Sequence, residues 1–142
     1  MRALLDVNVL IALLDLSHQS HPTARRWLSG EIAAGWASCP LTQNGVIRIF
    51  SQPAYPNQVS ASEAATLLRA ATETPQHEFW TDPVSLLDPQ RFDPTRIHGP
   101  RQVTDSYLLG LAVARGKRLV TLDRRIPLDA VHGARPQHLV IL

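Results

Sequence analysis

The chain has 142 residues, 44% hydrophobic and 18% charged, which suits one globular domain and excludes disorder or a fibrous repeat as the main state. Net charge is only +2, so charge alone marks no nucleic-acid binder. Every basic residue except Lys117 is nevertheless an Arg, the side chain that grips phosphate oxygens in pairs.

The apolar opening, residues 1–16, is interrupted by Asp6 and Asp15 and precedes no small-residue cleavage site, so neither a signal peptide nor a membrane span is expected. Ala3-Leu4-Leu5 reads as a short strand, Asp6 as a turn, and Val9 to Leu14 as a mostly buried helix. His21-Pro22 opens a second helix through about Ser29, with Gly30 and Gly35 bracketing its exit. Gly35 to Cys39 reads as a second strand, and Pro40 and Thr42 open a helix carrying Val46, Ile47, Ile49 and Phe50. Cys39, the one cysteine, is expected to pack rather than react; it allows no internal disulfide and fits a reducing cytoplasm.

Pro53 and Pro56 make residues 51–60 a loop, and Ser60 or Ser62 caps a helix of Ala64, Leu67, Leu68 and Ala71. A strand is expected at Glu78-Phe79-Trp80-Thr81. The stretch from Asp82 to Pro100, punctuated by Pro83, Pro89 and Pro94, leaves room for at most a short helix at Val84 to Leu87. A helix from Thr104 to Arg115 ends at Gly116, a strand runs from Arg118 to Leu122, and a fifth runs from His138 to Leu142. Alternating strands and helices predict an α/β fold over residues 1–142, a single domain with a central parallel sheet of about five strands and helices on both faces.

In such sheets ligands bind beyond the carboxyl ends of the strands. Asp6 and Asp123 stand there, and Asp105 falls in the first turn of its helix, where the macrodipole favours an anion. Each has an ordinary reading as a cap or turn residue. Together, three converging carboxylates ask for a cation, and an oxygen-only donor set suits Mg²⁺ or Mn²⁺. Phosphodiester hydrolysis is the reaction class such a site serves.

The blocks Leu4-Leu5-Asp6-Val7-Asn8-Val9-Leu10, Pro40 to Arg48, Thr104-Asp105-Ser106-Tyr107-Leu108-Leu109 and Val120-Thr121-Leu122-Asp123 resemble, in order and spacing, the VapC family of PIN-domain toxins. The resemblance covers nearly the whole chain. It implies a Mg²⁺- or Mn²⁺-dependent endoribonuclease acting on transfer or ribosomal RNA, held inactive by a VapB-type antitoxin and usually homodimeric. Carried over by position, Asp6, Asp105 and Asp123 match three of the family's acidic metal-site positions.

The fourth differs. Many members carry Glu where this chain has Gly45, and no acid lies between Glu31 and Glu63. Asn44 is a substitute ligand by adjacency, although one helical step turns its side chain by about 100°. Asn8 and Thr121 fit roles orienting the carboxylates. Arg96, Arg101 and Arg124, with Arg91, His98 and Arg125 nearby in sequence, are candidate RNA contacts.

The missing Glu keeps open a rival from another class, a PIN-like module that binds RNA or protein without cutting. A Rossmann-type nucleotide site is disfavoured because no glycine follows the first strand, and an aspartyl phosphatase because Asn8 stands where a second acid belongs. His18 and His21 have helical ligand spacing but no third partner for zinc, so a structural place at a helix start is expected. Trp27, Trp36 and Trp80 are expected in the core.

Overall fold

A computed structural model describes residues 1–142. In chain order the elements are β1 (Ala3–Leu5), α1 (Val7–Leu14), α2 (His21–Glu31), β2 (Trp36–Ser38), α3 (Pro40–Phe50) and α4 (Ala61–Thr72). There follow β3 (His77–Phe79), α5 (Val103–Ala114), β4 (Arg118–Thr121) and β5 (Leu139–Ile141). The five strands form one sheet in the order β3-β2-β1-β4-β5, and every neighbouring pair is parallel.

Alternation of side chains along these short strands sorts the core into two layers. Leu4, Ala37 and Leu119 face α5 and pack with Trp80, Leu108 and Leu111. Ala3, Leu5, Trp36 and Val120 face the other way, against Val9 of α1, Val46 and Phe50 of α3, and Leu68 of α4. Leu4 and Leu5 are fully buried on opposite faces, and each contributes about 2 kcal/mol by leaving water. Trp36 and Trp80 are core residues, whereas Trp27 is only half-buried.

The order of strands fixes where a site forms. The chain builds outward from β1 through β2 to β3, then crosses over by α5 to place β4 on the other side of β1. The carboxyl ends of β1 and β4 therefore flank the switch point, where connections leave in opposite directions and a cleft opens.

Several expected boundaries move. Helix α2 runs through Gly30 to Glu31, and the exit comes at Gly35, whose φ of 80° follows a 3₁₀ turn at Ile32–Ala34. Strand β3 lies one residue earlier than expected, at His77–Phe79; Trp80 still donates its N–H to Ser38, but Thr81 is outside. Val84 to Leu87 is not helical, because Ser85 and Asp88 side chains take the N–H groups of Leu87 and Gln90 and close local turns instead. The same connection carries 3₁₀ turns at Pro94–Arg96 and Pro100–Gln102. His138 completes another such turn, so β5 starts at Leu139.

The connection is anchored despite its irregularity. Phe92 is 1% exposed, and a Cβ on Gly110 would stand 2.2 Å from its ring, so glycine in α5 is what lets the ring seat there. The Phe92 ring stacks on Tyr107 at 6.4 Å, and Asp93 donates to the Ala130 carbonyl.

Candidate active site

Asp6 ends β1 and caps α1. Its Oδ1 accepts from the Val9 N–H at 2.9 Å, its Oδ2 accepts from the Thr121 hydroxyl, and its own N–H donates to Val120. The carboxyl is 2% exposed, and burial pushes its pKa up to about 6 against the lowering effect of the Thr121 and Val9 hydrogen bonds. Thr121, fully buried at the end of β4, also accepts the Asp123 N–H at 3.0 Å. One hydroxyl thus joins two acids from neighbouring strands.

Asp123 accepts from the Arg125 N–H at 2.8 Å and pairs with its guanidinium at 3.5 Å. Asp105 is the third residue of α5, in the first turn. Its carboxyl is raised to about 6, first by burial and then by the charges of Asp6 and Asp123, with no hydrogen bond opposing the rise. The three carboxylates therefore share one field and repel one another. No three His, Cys, Asp or Glu side chains are gathered tightly enough to grip an ion on their own. The donors are all carboxylate oxygens, the type that a hard divalent cation takes.

Asn8 and Asn44 are exposed, on α1 and α3 respectively. Gly45 is buried where α3 meets α1: a Cβ there would stand 2.6 Å from Val7 Cγ2. The position where the resemblance anticipates Glu is occupied, in effect, by Val7. A Glu at that point would require Val7 or one of the two helices to shift.

Two cavities meet at Asp123. One, about 590 Å³, is lined by Asn8, His18, Leu122, Asp123, Arg124 and Arg125. The other, about 220 Å³, runs from His98 to Gln102, includes Arg101, and shares Asp123 and Arg125. Arg124 and Arg101 therefore each share a cavity with Asp123, whereas Asp6 and Asp105 line neither one. Arg96 is not brought to either cavity; it pairs with Asp129 at 3.6 Å and Asp93 at 3.9 Å. Arg91 likewise pairs with Asp88 at 3.5 Å. A third, apolar cavity of about 450 Å³ between α1, α2 and α4 carries no acid and offers no such chemistry.

Sequence reasoning did not foresee the Arg125–Asp123 pair or the place of His18 beside Asp123. Spacing two residues apart after a strand is a usable signal for the first. Only the tertiary path of the α1–α2 turn reveals the second.

A parallel α/β sheet with carboxylates gathered beyond the ends of its adjacent β1 and β4 strands defines a PIN-type domain. No family model matches the sequence, but individual relatives do. Ribonuclease VapC44 of Mycobacterium tuberculosis is 56% identical over 142 residues, covering the whole of both chains. Among solved structures, VapBC2 from Rickettsia felis, bound to a DNA fragment from their promoter, aligns with 100% of this chain and 98% of its own, at 13% identity and a TM-score of 0.65. VapC20 of M. tuberculosis, a sarcin-ricin loop cleaving toxin, covers 82% of this chain and 85% of its own, at 11% identity and a TM-score of 0.59. The chain belongs to the VapC family of ribonucleases. No helix is long and apolar enough to cross a membrane.

Proposed function

We propose that this chain is a Mg²⁺- or Mn²⁺-dependent endoribonuclease, the toxin of a VapBC-type pair, that hydrolyses phosphodiester bonds in specific cellular RNA of the transfer or ribosomal class. The observation that carries the reading is the common field of Asp6, Asp105 and Asp123 at the sheet's switch point. Membership in the VapC family supports the substrate class and a VapB-type antitoxin partner, and a homodimer is proposed from the family resemblance alone.

In this reading Asp6, Asp105 and Asp123 hold the cation. Bound there, it supplies charge stabilisation at the phosphate and lowers the pKa of a water. The rest belongs to the chain's own groups. Val9 N–H and Thr121 fix both Asp6 oxygens, so that carboxylate is held before substrate arrives. Arg125 balances Asp123 until substrate or cation competes for it. Arg101 and Arg124 hold RNA phosphates on either side, which positions the strand without reading its bases. Arg96, engaged with Asp93 and Asp129, stands outside this set.

Purified protein incubated with total cellular RNA tests the proposal. Discrete fragments with Mg²⁺ or Mn²⁺ that vanish with EDTA and in Asp6→Asn are expected. Intact RNA from a protein that binds both metal and RNA would instead favour a non-cutting module, the reading that Gly45 alone supports.

A further inference from the structure

His18 and His21 are three residues apart, yet the fold gives them opposite hydrogen-bonding states. The Nδ1 of His21 lies 2.7 Å from the Ala12 carbonyl. A carbonyl only accepts, so that nitrogen carries its proton. His21 also lines the apolar cavity. At His18 the Ser20 backbone N–H donates to Nδ1 at 2.9 Å. That nitrogen is therefore the acceptor, and the ring's proton sits on Nε2.

No protein group takes up the Nε2–H of His18, and the half-buried ring lines the 590 Å³ cavity with Asn8, Asp123, Arg124 and Arg125. The turn presenting it is firmly tied. The His18 N–H donates to Asp15 and its carbonyl accepts from His21, each at 3.0 Å. The Asp15 carboxylate is itself held by the Tyr55 hydroxyl at 2.5 Å, Asn57 at 3.1 Å and the Ser17 N–H at 3.0 Å. A donor on a fixed turn in the wall of a cavity with two Arg residues suits a ligand rich in acceptors. RNA phosphates are such a ligand.

We propose that His18 is a substrate-binding residue whose Nε2–H donates to a non-bridging phosphate oxygen of the RNA strand lying over Asn8, Asp123 and Arg124. The assignment rests on the RNA-hydrolysis reading above. Because Nδ1 is committed as an acceptor, the ring binds as a neutral donor. It fixes the register of the strand and adds no charge.

Two substitutions separate this role from a structural one. Asn at position 18 keeps an acceptor for the Ser20 N–H but lacks the outer donor, whereas Gln restores a donor at about the reach of Nε2 and loses the inner acceptor. Affinity for a fluorescein-labelled single-stranded RNA of mixed sequence is measured by anisotropy in EDTA across a salt series. His18→Asn is expected to bind roughly tenfold more weakly with an unchanged salt slope, and His18→Gln to recover most of the loss. Arg124→Gln, which removes a charge, should lower the slope by about 0.7. If Arg124→Gln weakens binding while His18→Asn equals wild type, or if Gln is worse than Asn, the assignment of His18 falls and the RNA site stands. If the wild type neither binds nor cuts RNA, both fall together.

Discussion

Asp6 and Asp105 reach the same edge of the sheet by opposite routes. Asp6 follows a three-residue strand directly and begins the next helix, so its position is set by local geometry, and both carboxyl oxygens are occupied by hydrogen bonds. Asp105 comes after the irregular connection from Asp82 to Gln102, carries no hydrogen bond, and is carried by α5, whose residues from Ser106 to Ala112 are buried and whose Gly110 seats Phe92 of that connection. One acid is fixed by hydrogen bonds at a strand end, and the other by the packing of its helix. The site thus draws on local geometry for Asp6 and on tertiary packing for Asp105.

Thr121→Val tests the hydrogen-bonded side and should have the largest effect. The methyl keeps the shape of β4 but deprives Asp6 Oδ2 and the Asp123 N–H of their common partner. Loss of such an orienting group should reduce RNA cleavage by roughly 10–100-fold, with a smaller change in RNA affinity. Cleavage at wild-type rates would mean that Asp6 needs no support from β4.

Gly110→Ala tests the packed side. The new methyl would meet the Phe92 ring at 2.2 Å and force it from its seat, at a cost of about 1–3 kcal/mol in urea unfolding. Cleavage should fall with it as α5 and its first-turn acid lose their cover. Retained cleavage in a destabilised protein would separate Asp105 from the loop that precedes it.

The smallest expected effect is on stability against pH in metal-free protein. Asp6 and Asp105, both raised to about 6, hold protons in the folded chain at pH values where the unfolded chain has released them. Their contribution is fully present below about pH 4 and is lost as pH rises through about 6. Urea midpoints in EDTA should fall across that window, and Asp105→Asn should flatten the fall. Midpoints that rise with pH, or an unchanged curve in the variant, would contradict the shared field.

The same division explains what the sequence could reveal. Asp6 after Leu5 and before an apolar helix is a short-range pattern, and so are Asp105 in a first turn and Thr121 two residues before Asp123. The parallel sheet was legible from strand and helix alternation. Phe92 was not, because its burial depends on a glycine in a later helix and on no periodicity of its own. The same holds for Arg96, whose partners Asp93 and Asp129 meet it through folding of two separate loops. His21 is the first residue of α2, as expected, whereas His18 lies three residues earlier, in the turn, with its Nδ1 accepting from the Ser20 N–H. Only the packing of the α1–α2 turn beside Asp123 supplies its second face.

The contact between Gly45 and Val7 also couples two helices at one point. An acid introduced at position 45 would meet Val7 Cγ2 at 2.6 Å with its first side-chain carbon. Trimming Val7 first would leave a gap between α1 and α3. A side chain larger than glycine at position 45 therefore needs a shift of Val7 or a smaller residue at position 7. The two positions are coupled across the α1–α3 seam and must be varied together.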